Sequence, residues 1–139
     1  MQKFIKLKAV RRTFTVLHWG LAIQPALFFV GLVGMSERAA QLLGKFPKPS
    51  INDPYLFGKD DLTYQNWIRF ANIFCQLFII SLIPWFCLTA LTLLFHWRYW
   101  SKGESNTIVW YRFLPIIVYI LSVLIIIFEP TNRFGWFLD

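Results

Sequence analysis

Three long stretches of the chain contain no charged residue. They run over residues 13–36, 70–95 and 113–128. The first two can cross about 30 Å of hydrocarbon at about 1.5 Å per residue. The third reaches this length when residues 108–111 are included and Arg112 extends its charge toward the headgroups. The pattern therefore predicts an all-α integral membrane protein with three transmembrane helices.

The segments between these stretches complete a single membrane domain. The prediction divides the chain into a basic interfacial segment (1–12), a first span (13–36), a long structured outer loop (37–66), a second span (67–97), a cytoplasmic loop (98–107), a third span (108–128) and an outer aromatic tail (129–139). Asp60 or Asp61 is predicted to cap the second helix, because a carboxylate there accepts hydrogen bonds from free N–H groups. Pro25, Pro84 and Pro115 lie inside the spans and predict kinks. Gating hinges at these prolines are the alternative.

Charge is distributed unequally between the two sides of the predicted bundle. The N-terminal segment and the connection between spans 2 and 3 carry eight basic residues and one acidic residue, whereas the other side carries six of each. The whole formal excess of +7 lies on the side that the positive-inside rule assigns to the cytoplasm. We predict a multi-pass protein of the cell inner (cytoplasmic) membrane, with its N-terminus cytoplasmic and its C-terminus on the outer, periplasmic side. Anionic lipid accounts for the basic charge, and nucleic acid is not expected as a partner.

Composition and cysteine spacing agree with this class of protein. Hydrophobic residues make up 57% of the chain and aromatic residues 19%, with a mean hydropathy of +0.51, which exceeds the usual values of soluble domains. The first apolar run is longer than the roughly 7–15 residues of a signal peptide, so a retained helix is predicted. Cys75 and Cys87 lie twelve residues apart on one predicted helix. That spacing is about 18 Å along the axis and is too long for a disulfide between them.

Several residues are candidates for contacts between helices or with a partner. Ala22 and Ala26 form a small-xxx-small pair, which favours close helix approach in a membrane. Asn72 and Gln76 share one face of the second span and predict interhelical hydrogen bonds, within the bundle or within an oligomer. Trp136 belongs to the aromatic tail, which is predicted to fold back on the outer interface or to dock a partner.

Both histidines precede a tryptophan, and both are predicted to lie at the cytoplasmic interface. His18 opens the first span and His96 closes the second. Two imidazoles at similar depth on antiparallel neighbouring helices form the arrangement that holds a b-type haem. The alternative is that Trp19 and Trp97 are interfacial anchors and that the histidines bind no ligand.

The segment 11–22 begins with two arginines and continues through His18-Trp19 into an apolar run that includes Gly20. It resembles the start of the first helix in membrane cytochromes b, and the resemblance implies that His18 is an axial haem ligand. The plan of three spans, a cytoplasmic N-terminus and a histidine in the second span is also similar to the cytochrome b anchor of succinate dehydrogenase. These resemblances imply an electron-transfer anchor with haem b between His18 and His96.

The sequence contains no motif of a familiar enzyme. A glycine-rich phosphate loop, an HExxH pair and a nucleophile elbow are absent, so no catalytic or metal-binding residue is predicted. The first hypothesis is a small non-catalytic subunit or assembly factor of a larger inner-membrane complex, without a cofactor, in contact with other membrane subunits or a second copy of itself. The alternatives are the haem anchor and an immunity protein against a pore-forming toxin.

Overall fold

The computed structural model describes residues 2–48, 52–56, 58–96 and 106–138. Within these residues the chain is helical and contains no strand, which confirms the all-α prediction. The helices are α1 (Gln2–Ala22), α2 (Gln24–Leu43), α3 (Leu62–Phe95), α4 (Asn106–Phe128) and α5 (Arg133–Leu138). Residues 97–105, which include most of the predicted cytoplasmic loop, lie outside the described residues.

The predicted first span consists of the end of α1 and most of α2. The two helices are separated only at Ile23, because Pro25 occupies the first turn of α2, where a missing N–H costs no hydrogen bond. The chain remains helical across this point, since the Ile23 N–H donates to the Trp19 carbonyl at 3.1 Å. α2 ends where Gly44 adopts a positive φ of 68°.

α3 is the longest element, with 34 residues. Of the two predicted caps, Asp61 is the one observed, and its side chain accepts from the Tyr64 N–H at 2.7 Å. The helix is about 51 Å long at about 1.5 Å per residue. Pro84 lies inside it without ending it.

α2 and α3 run antiparallel and pack through small residues. A Cβ added to Gly31 would lie 2.9 Å from the Cα of Ala71, and one added to Gly34 would overlap the Trp67 ring. The absence of a side chain at these two positions therefore permits the close approach of the helices.

The buried core is concentrated at one end of the bundle. Its buried members are Phe28, Leu32, Met35, Ala39, Tyr64, Ile68, Ala71, Ile126, Trp136 and Phe137. A smaller cluster of Ala22, Trp85 and Tyr119 lies further along α3. α5 packs on the end of α2 and closes the larger core.

Two helical segments are long and apolar enough to cross a membrane, judged by length and composition. They are Arg12–Leu43, which joins α1 to α2, and Leu62–Leu94, which is α3. Only 33% and 17% of their most apolar windows are buried. The apolar part of α4, Phe113–Phe128, is shorter.

Candidate functional site

Three helices meet at a buried cluster around His18, which we call the histidine cluster (His18, Trp85, Thr89 and Tyr119). His18 is 2% exposed, and its Nε2 lies 3.1 Å from the Thr89 hydroxyl of α3. Its ring contacts Trp85, which stacks on Tyr119 of α4 with ring centroids 4.0 Å apart. Sequence reasoning did not identify Trp85, although the i,i+4 spacing from Trp85 to Thr89 marks a common face.

The second histidine lies at a different level of the bundle. His96 is the C-cap of α3, seven residues beyond Thr89, which corresponds to about 10 Å along the axis. Its ring contacts Phe113 of α4 edge-on, with centroids 5.0 Å apart. His18 Nε2 lies within hydrogen-bond distance of Thr89, whereas the buried His96 Nδ1 has no hydrogen-bond partner among the described residues. Haem remains a prediction of the sequence, and the visible absorption spectrum tests it.

A metal centre has no support in the part of the chain that the structure describes. It contains no group of three or more His, Cys, Asp or Glu side chains that could hold a metal ion. Cys75 and Cys87 are both free thiols. Cys75 is half-buried and Cys87 is exposed.

A second polar region, which we call the cap, comprises α5 and the described residues between α2 and α3. Arg133 of α5 is its central charge. The guanidinium donates to Ser36 Oγ at 2.8 Å and to Glu37 at 3.0 Å, and it also donates to Glu129. It lies over the Phe46 ring at 5.1 Å. These contacts tie the C-terminal helix to the end of α2.

The carboxylate of Glu129 is the buried partner of this group, with a side chain 7% exposed. Burial acts to raise the pKa of Glu129, but hydrogen bonds from Thr131 and from the Arg133 N–H outweigh it. The charge of Arg133 acts in the same direction, and the pKa of Glu129 lies below its ordinary value. The group therefore remains ionised at neutral pH.

Replacing Arg133 with alanine should lower the free energy of unfolding by about 1–2 kcal/mol, because Glu129 loses a charged donor but keeps the hydrogen bonds from the Thr131 N–H, the Thr131 hydroxyl and the backbone N–H of residue 133. Arg69→Ala is the matched control, since Arg69 is exposed and has no bonded partner among the described residues. That change should stay within about 0.5 kcal/mol. Denaturant unfolding in detergent, followed by circular dichroism, measures both. Equal losses in the two variants would contradict the structural role of Arg133.

A separate ion pair joins the end of α2 to the start of α3. Arg38 donates to both carboxylate oxygens of Asp61, at 3.2 and 2.6 Å. The hydrogen bonds from Arg38 and from the Tyr64 N–H lower the pKa of Asp61. Asp61 therefore both caps α3 and fixes its start against α2.

The stabilising effect of Asp61 should depend on pH. Because its folded-state pKa lies below the ordinary value of 3.8, the contribution is complete above that value and is lost as the pH falls through the folded-state pKa. The stability difference between the wild type and Asp61→Asn should therefore shrink on acidification. Denaturant titrations from neutral to acidic pH measure this difference. The control is Asp60→Asn at an exposed neighbour that forms no hydrogen bond or ion pair with a described residue, and it should change the stability at neutral pH by less than about 0.5 kcal/mol.

Hydrogen bonds from two tyrosine hydroxyls hold the loop of the cap against α3. The buried Tyr64 hydroxyl donates to the Pro54 carbonyl at 2.7 Å, and Tyr55 donates to Asn72 at 3.2 Å. Gly58 adopts a φ of 64° beside the Tyr64 ring, where a Cβ would lie 2.7 Å from the ring.

Trp136 lies inside the chain's own core. It is 1% exposed, and its indole N–H donates to the Asn52 carbonyl. Phe137 packs edge-on against Phe28, with ring centroids 5.4 Å apart. The aromatic tail thus folds back on its own bundle, and in this arrangement Trp136 is not accessible to a partner.

The other predicted interaction residues differ in accessibility. Ala22 is fully buried with Trp85, and Ala26 is half-buried. Asn72 is half-buried and pairs with Tyr55 in the cap. Gln76 is exposed and forms no hydrogen bond with any described residue. Of these residues, Gln76 alone presents an open polar group at the surface.

Comparisons with protein-family models, with curated proteins and with solved structures found no match to this chain. The function is therefore argued from the residues and contacts described above.

Proposed function

We propose that this protein is a small, non-catalytic subunit or assembly factor of a larger complex in the cell inner membrane. In this proposal the chain crosses the bilayer three times, with its N-terminus in the cytoplasm. The observation that supports a membrane location is the apolar surface of α3, where only 17% of the most apolar window is buried. Ile79 and Phe86, for example, are 59% and 62% exposed.

The same kind of surface continues on α4, where Ile127 and Phe128 are 59% and 75% exposed. Contiguous apolar surface of this extent is unfavourable in water and is the usual surface of a helix in contact with lipid. A buried helix of a soluble protein would instead have most of its apolar residues covered. A bilayer is therefore the solvent that this surface favours.

Three of the polar groups that could carry chemistry are engaged in contacts that stabilise the fold. His18 is hydrogen-bonded to Thr89, Asp61 caps α3, and Arg133 joins α5 to α2. Such contacts favour a structural role over an enzymatic one. The haem anchor and the immunity protein stay predictions of the sequence, tested by a reduced-minus-oxidised spectrum and by toxin protection.

Topology is the first test of the proposal. The protein should stay in the membrane pellet after alkaline carbonate extraction. Reporter fusions should place the N-terminus inside and the C-terminus outside, which requires an odd number of spans. Release by carbonate would overturn the membrane proposal, and termini on the same side would exclude three spans.

Assembly is the second test. After extraction in mild detergent, the protein should co-purify with a defined set of membrane subunits in fixed stoichiometry, and deletion of its gene should reduce the yield of that complex. A chain that migrates alone or only with copies of itself, with no complex lost on deletion, would contradict the role as a subunit of a larger assembly.

A further inference from the structure

α3 carries two stripes of residues on opposite sides. The stripe that packs inside the chain includes Tyr64, Ile68, Ala71, Cys75, Phe78, Trp85, Thr89 and Thr92. The other, which we call the exposed stripe, consists of Ile73, Gln76, Ile80, Ile83, Cys87, Ala90 and Leu94. Each of its members is exposed. At about 100° per residue the two stripes lie almost opposite each other.

The spacing of the exposed stripe alternates between three and four residues. This is the a/d repeat of a helix that packs along a second helix. Ile73, Ile80 and Leu94 occupy a positions, with exposed fractions of 55%, 71% and 63%. Gln76 and Ile83 occupy d positions. The stripe is therefore patterned as a helix-packing seam, although no helix of the described chain covers it.

Gln76 is the polar residue of this seam. It lies in the uncharged stretch 70–95, about 10 Å from the middle of that stretch along the axis. The hydrocarbon extends about 15 Å from its centre, so an embedded α3 places this amide inside the apolar layer. An amide without a partner there is unfavourable, and glutamine in membrane helices commonly bonds across a helix interface.

We propose that the exposed stripe is the interface of a parallel homodimer, in which Gln76 pairs with Gln76 of a second copy. This inference rests on the proposed membrane insertion. An amide group has both a donor and an acceptor, so two identical side chains satisfy each other across a two-fold axis. Two copies inserted in the same orientation place their Gln76 side chains at the same depth in the membrane.

The fold leaves the stripe free for this contact. The opposite face of α3 packs against α2 and α1, and Tyr119 of α4 stacks on Trp85, so dimer formation needs no rearrangement of the bundle. Asn72, the neighbouring polar residue, is already paired with Tyr55 and lies off the stripe. Cys87 lies on the stripe, eleven residues from Gln76, and should face its equivalent in the second copy.

Dissociation of the dimer tests the proposal directly. Two fluorescently labelled pools of the purified chain in detergent micelles should exchange and give energy transfer. Gln76→Leu should raise the dissociation constant about 3- to 20-fold, the range measured for single hydrogen bonds between membrane helices. Gln76→Asn keeps the amide and should retain most of the affinity.

Two isoleucine-to-alanine variants distinguish the exposed stripe from other exposed apolar surface of the protein. Ile80→Ala should weaken the dimer, because Ile80 lies on the stripe. Ile127→Ala on α4 removes the same atoms from a residue of comparable exposure and should have no effect. Equal effects of the two changes would overturn the assignment of the interface.

The native cysteines supply an independent measurement. Iodine oxidation in the membrane should cross-link the wild type and Cys75→Ser, but not Cys87→Ser. The dimer proposal alone is overturned if the chain resists carbonate extraction but shows no energy transfer and no cross-link. The proposed function is overturned if carbonate releases the chain from the membrane. A heterologous partner on the stripe is indicated if the purified chain is monomeric but Gln76→Leu disrupts a larger complex.

Discussion

Replacing Trp136 with alanine should lower the free energy of unfolding by about 3–5 kcal/mol, the cost measured for large aromatic residues in protein cores. Trp136 is 1% exposed and belongs to the larger core cluster with Phe28 and Phe137. Its removal leaves a cavity and also frees the Asn52 carbonyl that accepts from the indole. Because α5 has only six residues, it has little helical stability of its own and should detach with the loop.

Trp136→Phe separates the two contributions, because it keeps most of the ring and removes the N–H. That variant should lose about 1 kcal/mol, the net value of a typical hydrogen bond, plus a smaller packing term. Circular dichroism during denaturant unfolding measures stability, and limited proteolysis reports release of the tail. An alanine variant as stable and protease-resistant as the wild type would show that the cap does not depend on Trp136.

Replacing Gly31 with valine should lower the free energy of unfolding by about 3 kcal/mol, because the added side chain cannot fit between α2 and α3. Its Cβ alone would lie 2.9 Å from the Cα of Ala71. The conflicting atom belongs to the backbone, so no rotamer change relieves the overlap and the helices must separate. The change acts on the most extensive helix contact among the described residues.

Gly20→Ala is the control for this prediction. A Cβ at Gly20 meets no atom within 4 Å, and the residue lies inside α1. Alanine there should stabilise the helix by up to about 1 kcal/mol. The two variants are compared by thermal unfolding in the same detergent. A Gly31→Val protein with the same melting temperature as Gly20→Ala would contradict the close packing of α2 and α3.

Local features of the fold were predictable from the sequence because they depend on neighbouring residues. The apolar runs predicted three membrane-spanning helices, and the structure confirms two helical segments that are long and apolar enough to cross a membrane. Asp61 was one of two candidate caps and is the observed one. Pro25 marks the junction between α1 and α2. In each case the cause is a spacing, a missing N–H or a carboxylate within one or two helical turns.

The partners of the candidate site residues were not predictable in this way. His18 pairs with Thr89, 71 residues away, and Arg133 reaches Ser36 across 97 residues. Asn72 and Gln76 share one predicted face, but Tyr55 donates a hydrogen bond only to Asn72. Such contacts depend on the rotation of each helix about its axis and on the crossing of helix pairs.

The sequence by itself determined the helical class, the apolar length of the main helices and the start of α3, because each follows from local periodicity and capping chemistry. Only the tertiary structure decided that Trp136 is buried, that the two histidines lie at different levels and that Gln76 remains on the surface. Burial is a property of the packed bundle: a residue's own type sets its preference, while the elements that pack around it decide whether it is covered.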